Sequence, residues 1–416
     1  GILCAGLTAS GGDWTAFRGK AGTGYSSASN LPVKWDANTN VAWKKALPGR
    51  CNGSPVIAGN LLFLTSASDD GRQRTLHCFR ASDGEEVWLK TEACEQVMPT
   101  HQTNRYGGTT PAATDELVVV WHATAGLYCY RHDGTEVWHH DLGEFRHQWG
   151  YGTSPVIDDE QVILHSGPGA AVFVAAFDLR TGEQRWRFAE TVQGNGERND
   201  DGKYMGSWCT PAIVVNGAQK LAVCGMSTRV IALDTADGSL VWACDGLSGP
   251  RGDLCYTSPV ISRDVCVVMG GYQGPAIGFR MQGEGNITES QRLWREERGN
   301  PQRIGSGVSI DGVIYMANAG PNLLQCLRPE TGEVLWTERL NSGAHWGSLV
   351  FADGLLFTTG QDGTTIVFRP NPERFDLVSS NDLREPTNAT PAVADGTIYI
   401  RTFRHLWCIR NPGARE

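Results

Sequence analysis

The hydrophobic positions of this chain fall in short runs and not at helical spacing. Segments such as "LLFL" (61–64), "LVVVW" (117–121), "VIYM" (313–316) and "TIYI" (397–400) are rich in β-branched and aromatic residues. Gly, Asp and Asn bound them, and no long stretch carries a 3.6-residue apolar period. This pattern predicts β-strands joined by tight turns.

The strands come in repeats. "FDLRTGEQRW" ends at Trp186, "LDTADGSLVW" at Trp242, "LRPETGEVLW" at Trp336, "FRASDGEEVW" at Trp88 and "YRHDGTEVW" at Trp138. Trp43 and Trp294 continue the series. A second phrase keeps step with the first: "SPVI" at 54, 154 and 258, "TPAA" at 110, "TPAI" at 210, "GVSI" at 307, "GSLV" at 347 and "TPAV" at 390. A third run, such as "HCF", "YCY", "AAF" or "IAL", precedes each polar turn. Each unit thus offers four short strands, and there are eight units. The pattern predicts an all-β, eight-bladed β-propeller of four-stranded antiparallel blades.

Within the first phrase, Gly84, Gly134, Gly182, Gly238 and Gly332 fall in the turn between a blade's third and fourth strands, where positive φ is needed. The tryptophan that follows is large and flat enough to dock against the next blade. In the seventh unit, Leu377 stands at the tryptophan's place. The eighth unit runs out of chain before its fourth strand, whereas "NVAWKKAL" (40–47) precedes the first unit and is spare. The N-terminal strand is therefore expected to complete the last blade and close the ring. The domain reading is a single propeller over 13–412. Residues 1–12 are a signal-peptide remnant or disordered start, and 413–416 are a tail.

The "D-x-x-T-G-x-x-x-W" phrase resembles the tryptophan-docking repeat of the pyrroloquinoline quinone (PQQ)-like β-propellers. "DWTAFRGKAGTGYS", "LPVKW", "VAWKKALPG" and "GSPVI" are similar to the opening of bacterial members. The resemblance implies one of two kinds of protein. Quinoprotein dehydrogenases oxidise alcohols or sugars with PQQ and calcium. Non-catalytic propellers, such as the outer-membrane barrel-assembly lipoprotein, bind partners. A fold hosts many functions, so the resemblance leaves the choice open.

Bulk properties narrow the field. The net charge of −9 comes without any Lys/Arg block, which argues against nucleic acid. No apolar stretch approaches the ~20 residues of a membrane-spanning helix. The small, apolar start "GILCAGLTASGG" reads as the end of an export signal, giving a periplasmic or secreted monomer as the expectation.

Loops that link one blade's last strand to the next blade's first strand open on one face around the central channel. They gather the candidate ligand-binding residues Asn52, Arg105, Tyr106, Gln148, Trp149, Tyr151, Tyr204, Trp208, Arg251, Asp253, Tyr256, Arg303, His345, Trp346 and Asn388. Aromatic rings among cations and amides suit a flat ligand or a glycan. Asp253 is the candidate general base if the protein is an oxidoreductase. In the long 187–209 loop, Glu197, Asp200 and Asp201 are candidate calcium ligands, though without the alternation of a calcium loop.

The remaining residues of note read as structural. Cys78, Cys129, Cys326 and Cys408 share one third-strand register and read as small core residues. There is no C-x-x-C and no adjacent Cys pair of the quinoprotein alcohol dehydrogenase kind. A disulfide within Cys209, Cys244 and Cys255 is left open. His139 and His140 are strand neighbours that point to opposite faces, which does not suit a shared metal. The expected role is that of a binding or scaffold propeller working through its channel-mouth loops on a protein, small-molecule or glycan ligand. The alternative is PQQ- and calcium-dependent oxidation.

Overall fold

The computed structural model describes residues 14–217, 219–297 and 303–413. The expectations for residues 1–12 and for 414–416 lie outside these. Eight antiparallel blades surround a central channel. Blade 1 holds Val56–Ala58, Leu61–Ala67, Gln73–Arg80 and Glu86–Ala93, in that order from channel to rim. Blades 2 to 7 repeat the order. In blade 8 the outermost strand is Val41–Ala46, paired antiparallel with His405–Arg410, with Trp43 opposite Cys408. The ring is closed by the N-terminal strand.

The tryptophan's job follows from its register. It stands opposite the small third-strand residue: Cys78 with Trp88, Cys129 with Trp138, Ala176 with Trp186, Ala232 with Trp242, Gly278 with Trp294 and Cys326 with Trp336. A register shift follows each of these pairs, so a β-bulge re-aims the outer strand at this point. The indole then reaches into the next blade. Trp88 donates to the His132 carbonyl at 2.7 Å, Trp138 to Leu179 at 2.9 Å and Trp186 to Thr235 at 2.9 Å. Trp43 crosses the closure in the same way, to Ala81 at 3.1 Å.

Blade 5 keeps the tryptophan's register but varies the turn, and blade 7 departs from the register itself. In blade 5 the turn is replaced by a short insertion, whose Gly285–Asn286 adds a parallel strand beside Trp242 of blade 4. In blade 7 the residue opposite Val367 is Ser379, and Leu377 pairs instead with Phe368. The longer turn "RPNPERF" shifts the register by two residues, so Leu377 does not occupy the tryptophan's place. The N-terminal segment fills the gap. Trp35 is buried there; its backbone N–H donates to the Asn381 side chain at 2.9 Å, and Ser379 and Asn381 both donate to the Val33 carbonyl.

Before reaching blade 7, the same segment crosses the channel. Trp14 exchanges hydrogen bonds with Ile57 of blade 1 at 3.0 and 2.9 Å, and the Thr15 carbonyl accepts from Ala113 of blade 2 at 2.8 Å. The buried Arg18 donates to Gly307 of blade 6, and Gly24 and Ser26 bracket Phe351 of blade 7 at 2.7 and 2.8 Å. These partners lie towards the far ends of the inner strands from the mouth loops, so residues 14–26 close the channel's floor.

Among the described residues no helix is long and apolar enough to cross a membrane.

Candidate functional site

The second sequence phrase turns out to build the channel wall. Each blade begins with a hydroxyl residue at one register: Ser54, Thr110, Ser154, Thr210, Ser258, Ser306, Ser348 and Thr390. The backbone N–H of one donates to the hydroxyl of the next. Seven such links, at 2.9–3.1 Å, include Thr390 to Ser54 across the closure. The links satisfy buried N–H groups that no strand pairing reaches, and they lock the inner ends of the blades together.

Above this hydroxyl ring lies a cavity of about 470 Å³. Its wall is sided. Blades 3 to 5 contribute Trp149, Tyr204, Trp208, Tyr256 and Tyr272, while Asn52, His101, Thr103, Asn104 and Asn388 face them from blades 1, 2 and 8. Trp346 and Ile304 complete the rim, and Phe17 of the N-terminal segment forms part of the floor. Among the described residues, no Asp, Glu, Lys or Arg lines the cavity.

The aromatic side is a continuous platform. Trp149 lies 4.5 Å from Tyr204, 5.9 Å from Trp208 and 6.4 Å from Tyr272, and Trp208 lies 5.3 Å from Tyr256. A small parallel sheet, Tyr204–Ser207 with Gly252–Cys255, holds two of the contributing loops side by side. The buried His147 braces the platform edge-on to Trp208 at 4.8 Å. Its Nδ1 accepts from the Trp149 N–H at 3.1 Å and its Nε2 donates to Met205 at 3.0 Å. Burial lowers its pKa to about 4, which keeps the ring neutral and this bonding pattern intact. Trp208 itself donates to the Gly150 carbonyl at 2.9 Å. On the opposite side, Asn388 donates to Asn52 at 3.2 Å and to Thr103 at 3.0 Å, and Asn52 reaches Asn104 at 3.2 Å.

Seven of the sequence candidates are therefore gathered at one cavity: Asn52, Trp149, Tyr204, Trp208, Tyr256, Trp346 and Asn388. The others sit elsewhere. Tyr106 stacks on Arg74 at 4.4 Å, and the Tyr151 hydroxyl accepts from Arg74 at 3.2 Å inside the wall. Arg303 is buried and donates to Gln325 at 2.6 Å. His345 is buried between the hydroxyls of Ser342 and Thr358, at 2.9 and 2.8 Å. Asp253 is buried and accepts from Asn199 at 2.8 Å. Arg105 is exposed, and Gln148 is half-buried outside the wall. Arg251 is exposed and lies over the Tyr272 ring at 5.6 Å.

The acidic loop residues do not converge. Glu197 is 3.9 Å from Arg146, Asp201 is 3.9 Å from Lys203, and Asp200 is exposed. Among the described residues there is no group of three or more His, Cys, Asp or Glu side chains placed to hold a metal ion. Every described cysteine is a buried free thiol. Cys209 neighbours Cys224 and Cys255, with Cys244 elsewhere, and its sulfur accepts from the Gly225 N–H at 3.1 Å.

Several site residues lay outside the sequence reading. Tyr272 sits in the hairpin between blade 5's second and third strands, not in an interblade loop. Tyr272 and Gln273 both take positive φ, 50° and 60°, a costly backbone that carries the ring to the rim. Phe17 comes from the N-terminal segment. The hydroxyl ring was visible as a recurring Ser or Thr, but in blades 6 and 7 the residue is Ser306 before "GVSI" and Ser348 within "GSLV".

The profile of a protein family described as outer membrane protein assembly factor BamB matches residues 5–98, 72–338, 286–369 and 321–409. The chain belongs to that family. No curated protein sequence matches it. Solved propellers share its fold at low identity. BamB from Moraxella catarrhalis is 12% identical, with a TM-score of 0.57 over 90% of this chain and 99% of its own. The quinohemoprotein alcohol dehydrogenase ADHIIG from Pseudomonas putida HK5 is 13% identical, with a TM-score of 0.68 over 97% of this chain and 81% of its own. That of Comamonas testosteroni is 13% identical, with a TM-score of 0.66 over 97% and 82%. These likenesses show the eight-bladed fold.

The fold family raises PQQ with calcium as a group to test against the cavity. PQQ is a flat tricarboxylate, so it calls for cations at its carboxylates and oxygen ligands for the metal. The aromatic platform could stack on its rings. The described wall supplies neither a guanidinium or ammonium nor a carboxylate, and the nearby Asp253 and Arg303 are turned into bonds of their own. The described residues do not fit the cofactor.

Proposed function

We propose that this protein is an extracytoplasmic binding propeller whose channel mouth takes an uncharged, polyhydroxylated ligand. The observation that carries this reading is the sided wall, free of Asp, Glu, Lys and Arg among the described residues: a platform of indole and phenol rings facing a row of carboxamides and hydroxyls with the His101 imidazole. Aromatic faces stack on the C–H faces of a sugar ring, while Asn side chains can both donate to and accept from its hydroxyls. A wall without carboxylate, ammonium or guanidinium groups also avoids the desolvation cost of burying such an unpaired charge when the mouth is covered by ligand. The name of the matched family, an outer membrane assembly factor, supports a place outside the cytoplasm. In this reading the protein acts as a monomer.

Titration calorimetry with neutral oligosaccharides, run beside titration with PQQ and Ca²⁺, tests the reading. Saturable oligosaccharide binding that is lost in Trp149→Ala supports it. Micromolar or tighter PQQ binding with dye-linked oxidation of an alcohol or sugar overturns it in favour of a quinoprotein oxidoreductase, with Asp253 as the base to examine.

A further inference from the structure

We infer that the cavity receives the free end of a neutral glycan chain and excludes the chain's interior. This rests on the reading of the mouth as a site for neutral, polyhydroxylated ligands. Two independent features carry it further.

The first is the sealed floor. A propeller channel open at both ends could be threaded by a polymer. Here residues 14–26 cross the bore: Trp14 is tied to Ile57 of blade 1 and Thr15 to Ala113 of blade 2, Gly24 and Ser26 are tied to Phe351 of blade 7, and blade 6, reached by Arg18, faces blade 2 across the ring. Arg18, fully buried, spans to the Gly307 carbonyl. Above this crossing, seven hydroxyl links join the blades in a chain that runs from Ser258 through the closure to Thr210. A ligand must therefore enter and leave by the one mouth, and an unbranched polymer can lower only a terminus into it.

The second is the layout of the rings. The rings gather round Trp149, from the half-buried Trp208 and Tyr256 inside the cavity to Tyr272, 40% exposed at the rim. The Tyr272–Trp149, Trp149–Trp208 and Trp208–Tyr256 centroids are 6.4, 5.9 and 5.3 Å apart. A site for a free monosaccharide needs stacking only at its base. Here Trp208, Trp149 and Tyr272, tilted by only 33° and 30° from one to the next, instead offer faces from within the cavity to the rim, suited to several linked sugar units, with the last unit held low and the rest leading out past Tyr272. The two left-handed residues that hold Tyr272 at the rim, Tyr272 and Gln273, mark this outermost step as built at a cost.

The test is a length series. Malto-, cello-, laminari-, xylo- and chito-oligosaccharides, from monosaccharide to long oligomers, are titrated into the full chain, and affinity is expressed per molecule. The expected result, for the linkage that binds, is an affinity that rises over the first few units and then stays flat however long the chain. An affinity that keeps rising in proportion to length means that interiors bind, and overturns the proposal. An affinity already complete at the monosaccharide means a free-sugar site, and also overturns it. Both results leave the neutral-ligand reading standing. If no oligosaccharide binds, the neutral-ligand reading itself falls and takes the proposal with it. Two variants add a second readout. Tyr272→Ala should weaken the longer oligomers by about tenfold and leave the disaccharide unchanged, whereas Trp208→Ala should weaken both. Equal losses in the two variants would contradict this arrangement.

Discussion

Gly182 lies flat beneath the indole of Trp138: a Cβ built on it would come within 2.7 Å of the ring, and its φ is +77°. The glycine belongs to blade 3 and the tryptophan to blade 2, so one contact joins two repeats. The same pairing recurs as Gly84 with Trp43, Gly134 with Trp88, Gly238 with Trp186 and Gly332 with Trp294. Two demands therefore meet on one residue, a left-handed backbone for the turn and bare space for the neighbour's ring.

These demands can be separated. Gly354 has a similar φ of +71° and nothing within 4 Å of its Cβ position. Gly354→Ala should cost about 1 kcal/mol, the backbone strain alone. Gly182→Ala should cost clearly more, roughly 2–4 kcal/mol, because the ring must also move. Denaturant midpoints compare the two, and equal losses would remove the docking role.

Ring closure depends on Trp43 opposite Cys408. Removing residues 1–48 deletes that strand and the floor segment together, leaving the edge of His405–Arg410 unpaired and Gly84 without its indole. The truncated protein should aggregate or lose its single cooperative transition. A monomer with an unchanged melting midpoint in light scattering and calorimetry would contradict the closure.

Scaffold and site should respond differently to the loss of an indole. Trp186 is buried between blades 3 and 4 and donates to Thr235. Trp186→Ala should cost roughly 3–5 kcal/mol. Trp149 is half-buried in the cavity wall, so Trp149→Ala should cost clearly less and abolish ligand binding instead. The reverse order in denaturant melts would exchange their roles.

The hydroxyl ring has a stability consequence of its own. Ser306→Ala removes the acceptor of the buried Ser258 N–H. The expected cost is about 1–3 kcal/mol, with recovery in Ser306→Thr, which restores the oxygen. Urea unfolding of the pair checks this.

Acid should loosen the site before it unfolds a surface. His147 and His345 are neutral in the fold, each with its pKa lowered by burial from 6.5 to about 4. The unfolded chain takes up these protons from about pH 6.5 downward, while the fold takes them up only near pH 4. Stability is therefore level above pH 6.5 and falls between pH 6.5 and 4, by roughly 3 kcal/mol for each histidine. His345→Gln should flatten this limb by about one proton in a stability-versus-pH series. An unchanged slope would mean that His345 is charged in the fold.

Much of this fold was legible because its units repeat. Strand boundaries, blade count, the turn glycines, the docking tryptophans and the closing strand are each set by short-range chemistry that every blade states again. Blade 7 shows the limit. Counting ten residues from Val367 leads to Leu377, but the longer turn moves the register to Ser379, and turn conformation is not written in a count.

The site was legible only in part, for a related reason. Sequence places Trp149, Trp208, Tyr256 and Asn388 on loops at one face, and the structure brings them to one wall. It cannot say which way each side chain turns. Arg303, His345, Asp253 and Tyr151 lie on the same loops, yet each is drawn into buried hydrogen bonds that outweigh exposure at the mouth. The floor is the clearest case. The sequence alone determined that Trp14 to Ser26 precedes the first blade. That this segment crosses the bore depends on backbone pairings with Ile57, Ala113 and Phe351, which are far away in the chain and meet it only once the ring has closed. Local propensity and repetition decide the blades, whereas a closed channel is a property of all eight together.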